Sequence, residues 1–459
     1  MTKNLVTVYI TNFNYGRFIK QAIESVIHQT YRNIELIIVD DGSSDNSEKI
    51  ITELISKSSK IVFVRQNQKG LINACNLALN IAKGGLIMRL DADDWLHKDA
   101  VNQMVGYFKK NKNLGMVFPD YYFVDDRGKL LSRFRRHDFK KVKLFDQPAH
   151  GACTMVRTRF LRKIGGYDKS FVCQDGFYLW LKFIKKYKIK NINKPLFYYR
   201  QHNSSLSRKE DLIKKTKTKI LKKLNKKNKK KAVILIPFRG FELNRNSLIL
   251  KKLANLSIYS ILINKSMNLK NIIKIIINSP DYKLIRKIKK QYHSNKMLYI
   301  YRKKNISLFN TPLNSVIYET NNFLKKKKID YNYLILLNFH YPFLSIEDIE
   351  IGLNTINYFK LNQIIAVKKE DRNVYYHNGK NFTQLIKNNF LKRENNEIYL
   401  ETGAMRIYNK KILNKLPFSS KKTGHTIIDE LSSFVINSDR DYKMAKYISK
   451  TKEINLQNL

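Results

Sequence analysis

Short apolar runs punctuate the first 120 residues at regular intervals: "VTVYI" at 6–10, "IELIIVD" at 34–40, "IVFVRQN" at 61–67 and "LIMRLD" at 86–91. Each has the length of a strand and polar borders, so each reads as a buried strand. Between them, 18–30, 46–59 and 72–83 carry apolar residues at helical spacing. This alternation predicts a largely parallel sheet with helices on both faces. Ligands of such sheets collect beyond the carboxyl ends of the strands. The polar clusters "TNFNYG", "DDGSSDNS" and "DADD" each follow a strand, so they are expected to converge on one cleft.

Near 203–231 the pattern changes to "NSSLSRKEDLIKKTKTKILKKLNKKNKKK", rich in Lys with sparse Leu and Ile. It reads as an exposed helix or hinge, with 208–231 as the interdomain linker. A second alternation starts at "AVILIP", 232–237, and continues through "IIKIIIN", "MLYIYR" and "YNYLILLN", with helical segments at 281–293, 311–328 and 345–360. The expected architecture is therefore α/β in two Rossmann-like domains, 1–207 and 232–459, joined by the Lys-rich linker. No sequence repeat relates the halves.

A length of 459 residues suits two or three domains, and 43% hydrophobic content suits globular ones. No apolar run reaches the roughly 18 to 20 residues that span a bilayer, and the N-terminus lacks a signal-peptide pattern, so a cytoplasmic protein is expected. Cys75, Cys153 and Cys173 show no CxxC spacing and read as buried small apolar residues. The net charge of +50 suggests an anionic partner at first. Its excess is mostly Lys spread along a chain also crowded with Asn and Ile, and no zinc-finger spacing, aromatic RNP motif or localised basic helix accompanies it. No nucleic-acid partner is expected. Peripheral contact with the inner, anionic face of a membrane fits the charge better.

The stretch "LDADDW", 90–95, sets Asp91, Asp93 and Asp94 at the end of an apolar run. Carboxylates crowded together repel unless a cation lies between them, and oxygen ligands suit Mg²⁺ or Mn²⁺. Alternatively the stretch is a solvated turn whose aspartates cap the next helix, the role expected of Asp94 for a helix starting near Lys98.

The neighbouring motifs decide for the first reading. "VTVYITNFNYGRFIKQAIESVIHQTYRNIELIIVDDGSSDNS", "NQKGLINACNLALNIAKGGLIMRLDADDW", "IGGYDKSFVCQDGFYLWLKF" and "PLFYYRQHNSSLS" follow one another as in family 2 glycosyltransferases of the GT-A fold, and residues 6–206 resemble that family. The resemblance implies a metal-dependent, inverting hexosyl transfer from a nucleotide-diphosphate sugar, a UDP-sugar above all, to a glycan or lipid-linked acceptor in surface polysaccharide synthesis. It implies that Thr11, Asn12, Phe13 and Asp40 bind the nucleotide, although the family usually has proline where Thr11 stands. Gly70 and Asn73 shape the loop and helix beneath the donor. The run Asp91, Ala92, Asp93 resembles the DxD motif, Asp93 holding the divalent ion and Asp91 lying near the ribose and the metal's waters. Asp175 falls in the family's Glu-Asp pair and is the expected general base, with Gln174 replacing the glutamate. Arg200 and His202 resemble a motif near the donor phosphates. Trp95 reads as packing, Asp41 to Asp45 as a turn and helix cap, and His150 as either an acceptor contact or a structural histidine.

Residues 232 to about 448 resemble, more faintly, the cytidylyltransferases that activate acylneuraminate-type sugars. "AVILIPFRG", "LILLNFHYPFLSIEDI", "ETGAMRIYNKKIL" and "FVINSDRDYKMAKYI" carry the likeness. After Arg239 and Gly240 that family expects glycine, serine and lysine, where this chain has Phe241, Glu242 and Leu243. Val435 and Asn437 replace two metal-binding aspartates, although Asp441 remains. The expectation is a folded domain without efficient nucleotidyl transfer, with Glu242 and Asp429 as candidate compensations. The competing readings are a catalytically silent sugar-nucleotide-binding scaffold and a bifunctional transferase and cytidylyltransferase.

Overall fold

The computed structural model describes residues 2–56, 61–134, 150–202, 210–226, 230–239, 248–303, 307, 312–370, 372, 374–377, 379, 381–385, 398–418 and 422–450. The chain divides into two compact units, one of 1–217 with 373–396 and one of 218–372 with 397–459.

The first unit opens with the expected alternation: β1 (Thr2–Asn12), α1 (Gly16–Ile27), β2 (Ile34–Asp40), α2 (Ser47–Ile55), β3 (Ile61–Arg65), α3 (Leu71–Ile81) and β4 (Gly84–Asp91). It continues through β5 (Trp95–Leu96), α4 (Ala100–Lys110), β6 (Leu114–Val124), β7 (Leu130–Phe134), β8 (Met155–Arg157), α5 (Thr158–Lys163), α6 (Asp175–Lys186) and β9 (Lys188–Arg200). Among the described residues these strands make one nine-stranded sheet in the order β3-β2-β1-β4-β8-β6-β9-β5, with β7 added to β6. The four strands nearest β1 are mutually parallel. Beyond β4 the sheet becomes mixed, because the three-residue β8 runs antiparallel between β4 and β6. The expectation of a largely parallel sheet therefore holds for half of it.

The helices form because their apolar residues recur at the helical period. In α1, Phe18, Ile19, Ala22, Ile23 and Val26 are buried, and Ile19, Ala22, Ile23 and Val26 join Val8, Ile10, Ile38, Met88 and Leu90 of the strands in one core. Each of these side chains larger than Ala22 contributes about 1.5–3 kcal/mol by leaving water.

Register places the site. The pairs Asn12↔Asp40 and Thr11↔Asp91 set three parallel strand ends at the same level, with β1 in the middle. The three polar clusters thus meet at one rim, as the sequence pattern requires.

In the second unit the order is Met297–Tyr301, Ile272–Ser279, Ala232–Pro237, Tyr333–Leu337, Ile398–Asn409, Gln363–Glu370, Thr423–Ile427. Ile398–Asn409 runs antiparallel to both neighbours, and the other described pairings are parallel. Helices Tyr282–Gln291, Leu313–Lys326 and Ile346–Phe359 fall where the sequence period puts them. The Lys-rich stretch contains helix Glu210–Asn225, in which Thr216, Thr218, Ile220 and Leu221 are buried.

Asp41, 6% exposed, ties the loop after β3 to the rim by accepting from Gln66 Nε2 at 2.7 Å, Lys69 N at 2.8 Å and Gly70 N at 2.7 Å. Asp41→Ala leaves these donors without their acceptor. It is expected to lower unfolding free energy by about 1–3 kcal/mol, read as a lower midpoint of urea unfolding.

Candidate active site

Asp40 ends β2 with no exposed surface. Its carboxylate accepts from Asn12 Nδ2 at 2.7 Å, Ser43 Oγ at 2.6 Å and Ser43 N at 2.9 Å, and Arg65 Nε stands 3.7 Å away. Asn12 is likewise buried, Thr11 is 8% exposed, and Phe13, just past the strand, is 38% exposed. Asn14 takes a left-handed conformation, φ 58°, which turns the chain into α1. Asp45 accepts from Gly16 N at the start of that helix and from Ser47 N, the first residue of α2, whose N-cap position belongs to Asn46.

At the end of β4 the backbone folds into a turn in which Asp94 N donates to Asp91 O at 3.1 Å. Ala92 is buried, while the Asp91 and Asp93 side chains keep 25% and 13% of their surface. Asp93 pairs with His202 Nε2 at 2.8 Å, and His202 packs edge-on against Tyr15. Burial pushes the Asp91 carboxyl up to about 6 against the pull of Arg89, with Asp93 and Asp175 adding to the rise. Asp94 does not cap α4, as the sequence suggested; Asp99 holds that position. Asp94 instead turns inward, 1% exposed, and accepts from Arg200 N at 2.9 Å. Burial, then Asp93 and Asp91, raise its carboxyl well above the ordinary range.

Arg200 was expected beside donor phosphates. Its three side-chain nitrogens donate instead to this chain: Nε to Asp93 O at 2.8 Å, Nη1 to Asp126 O at 2.7 Å and Nη2 to Gln21 Oε1 at 2.6 Å. The guanidinium also lies over Phe18 and Trp95. Trp95 stacks on Tyr198 at 4.8 Å, the packing role expected of it.

Asp175 opens α6 and is 8% exposed. The residue before it, Gln174, has φ 60°, a left-handed turn that swings the helix start toward β4. There Arg89 Nη1 meets Asp175 Oδ2 at 2.5 Å while Arg89 Nε meets Asp91 Oδ1 at 2.8 Å. Arg89 was not singled out from the sequence. The available signal was its position two residues before Asp91 in a strand, which puts both side chains on one face. His150 and Thr154 join Arg89 and Asp175 around a cavity of about 20 Å³, and His150 packs at a tilt against Tyr199, their ring centroids 4.5 Å apart.

Gly70, φ 87°, ends the loop that Asp41 holds and precedes α3, and Asn73, in the first turn of α3, donates through Nδ2 to Lys69 O in that loop. In the second unit Asp441 closes a capping box with Ser438 on helix Asp439–Ile448, and Asp429 accepts from Ser432 N. Residues 241–243, which bear the departures after Gly240, lie outside the described residues.

The donor chemistry at Asp91 and Asp93 fits a divalent cation: two partly exposed carboxylates on one turn supply hard oxygens, Asp91 beside Arg89 and Asp93 beside His202. No group of three or more His, Cys, Asp or Glu suited to a metal occurs among the described residues. An ion here would therefore draw its remaining ligands from a substrate's phosphates and water, as Mg²⁺ commonly does.

The glycosyl transferase family 2 model matches residues 7–169. Over 213 residues the chain is 32% identical to MJ1057, an uncharacterised glycosyltransferase of Methanocaldococcus jannaschii, covering 44% of this chain and 73% of that one. It is 33% identical over 216 residues to the Escherichia coli UDP-Glc:alpha-D-GlcNAc-diphosphoundecaprenol beta-1,3-glucosyltransferase WfaP, covering 44% and 80%. It is 28% identical to the Escherichia coli chondroitin synthase, of which it spans 32%. Staphylococcus aureus TarS with UDP-GlcNAc superposes over 48% of this chain and 66% of that one, at 16% identity and a TM-score of 0.41. The rim of carboxylates beyond a parallel sheet thus belongs to an α/β transferase. The chain is a member of the family 2 glycosyltransferases.

Arg200→Leu removes the partner of three acceptors, Asp93 O, Asp126 O and Gln21 Oε1. The expected cost is about 2–4 kcal/mol, measured by chemical denaturation, with donor affinity falling as the turn that carries Asp93 loosens.

Proposed function

We propose that the first unit, with 1–207 as its transferase domain, is an inverting enzyme that moves a hexose from a nucleotide-diphosphate sugar to a glycan or lipid-linked acceptor. A UDP-sugar is the favoured donor, and the setting is surface polysaccharide synthesis on the cytoplasmic side of the membrane. The observation that carries this reading is the shared level of Asn12, Asp40 and Asp91 at one sheet rim, with Asp175 joined to Asp91 through Arg89. WfaP supports the choice of UDP-sugar and of a lipid diphosphate-linked acceptor by its named activity.

In this reading Thr11, Asn12, Phe13 and Asp40 form the nucleotide pocket, Asp40 acting as the buried anchor that Asn12 and Ser43 hold in place. Gly70 and Asn73 carry the loop beneath the donor. Asp91 and Asp93 would hold Mg²⁺ or Mn²⁺, which when bound would supply positive charge against that developing on the leaving diphosphate. His202 orients Asp93, and Arg200 orients the turn that presents it. Asp175 takes the proton of the acceptor hydroxyl as its oxygen attacks the anomeric carbon from the face opposite the diphosphate. That single displacement inverts the configuration.

The C-terminal half, 232–459, is proposed as a cytidylyltransferase-like domain that no longer transfers nucleotides efficiently and binds a sugar or positions the transferase domain. With Val435 and Asn437 in place of the expected pair of aspartates, the remaining Asp441 serves a helix cap, which favours this over a bifunctional enzyme.

Incubation with a panel of UDP-, GDP- and CMP-linked sugars, reading released nucleotide, tests the central reading; no release above background from any donor and acceptor combination leaves the scaffold alternative. Transfer is expected to stop in EDTA and return with Mn²⁺ or Mg²⁺, and full activity in chelator removes the metal from Asp91 and Asp93. Asp175→Asn is expected to keep nucleotide-sugar binding while turnover falls about 10²-fold or more.

A further inference from the structure

Arg89 stands inside β4, 6% exposed, in a strand otherwise made of apolar residues up to Leu90. Two of its nitrogens face Asp91, Nε at 2.8 Å from Oδ1 and Nη2 at 3.3 Å from Oδ2. A guanidinium is planar and rigid. Once Nε and Nη2 rest on Asp91, the direction of Nη1 follows, and Nη1 is the nitrogen that meets Asp175 Oδ2. Burial works against this cation, and Asp175 and Asp91 outweigh it, holding the guanidinium protonated well beyond its usual range.

The surroundings are shaped to the same group. A Cβ at Gly151 would stand 2.4 Å from Arg89 Nη2, so only glycine leaves the guanidinium its place. The turn that carries Gly151 is fastened to the same residue, since Cys153 N donates to Arg89 O at 2.7 Å. On the far side of the pair lies the cavity of about 20 Å³, lined in part by Tyr9, His150, Thr154 and Tyr167, with the Tyr9 and Tyr167 hydroxyls 2.6 Å apart. That is room for about one water.

We infer that Arg89 is a positioning residue for the transfer reaction, a rigid spacer that aims the Asp175 carboxylate relative to the turn bearing Asp91. This rests on Asp175 being the base. Misplacement of a reacting group by about 1 Å costs about 10²-fold in rate, so the effect should appear in kcat.

The test uses the full chain, the donor that the nucleotide-sugar panel identifies, and calorimetric binding of the matching nucleoside diphosphate with Mn²⁺. R89M is expected to lower kcat about 10²-fold while diphosphate affinity stays within about threefold. R89K, which keeps the charge without the fork, falls between R89M and wild type. In the double variant R89M/D175N, a residue that acts through Asp175 adds less than about threefold to the deficit of D175N alone. If D175N is slow and R89M multiplies that deficit by its full factor, this proposal falls and the base reading stands. If D175N turns over like wild type, the base reading falls and takes this proposal with it. R89M at wild-type kcat also overturns it. Should R89M not fold, G151A keeps the charge but displaces the guanidinium; the same loss of kcat with retained diphosphate binding supports the proposal, and unchanged kcat sinks it.

Discussion

Five carboxylates, Asp40, Asp91, Asp93, Asp94 and Asp175, are gathered at one end of one sheet, and their mutual repulsion is the constraint that the rest of the site answers. At an effective dielectric constant of 20, two unit charges 4 Å apart interact by about 4 kcal/mol, comparable with a large share of a domain's net stability. Each carboxylate accordingly has its own compensation. Asp40 has Asn12, Ser43 and Arg65; Asp93 has His202; Asp94 has the backbone of Arg200; Asp91 and Asp175 share Arg89. Arg65 comes from β3, Arg89 from β4, and Arg200 and His202 from the end of β9 and just beyond it, so the sheet must close before the carboxylates have their partners.

That arrangement also explains the division of labour among the arginines. Arg200 and Arg89 are both buried at the rim, and both are spent on groups of this chain. Arg200 bonds mostly to backbone and amide oxygens and sets the shape of the turn. Arg89 bonds to two carboxylates from separate elements and sets the spacing between them. The same side-chain chemistry serves loop geometry in one case and carboxylate geometry in the other.

The four parallel strands and their helices were legible because period 2 and period 3.6 separate cleanly there, and because each strand ends in a polar cluster. The mixed half of the sheet was not. β6, "LGMVFPDYYFV", is buried almost throughout and shows no alternation, and β9 alternates poorly across "KIKNINKPLFYYR". In the second unit, Ile398–Asn409 hides its strand character behind Glu401, Thr402 and Gly403. At the site, the residues drawn from motifs were read with their roles attached. Arg89 was missed because a lone charge in an apolar strand looks like an interruption until its partner from α6, 86 positions away, is seen. Asp94 was misread for a related reason: proximity in sequence favoured a cap on the next helix, whereas its bond goes to a residue 106 positions away.

The contact between Gly151 and the Arg89 guanidinium ties two positions that lie in different segments of the chain. Neither can drift alone: a side chain at 151 needs a shorter residue at 89, and a shorter residue at 89 opens a hole that a side chain at 151 would fill. Over evolutionary time the two sites should behave as one character with two settings, arginine with glycine or a small residue with a larger one. Lineages that take the second setting would have to hold the carboxylate of the Asp175 position by some other cation.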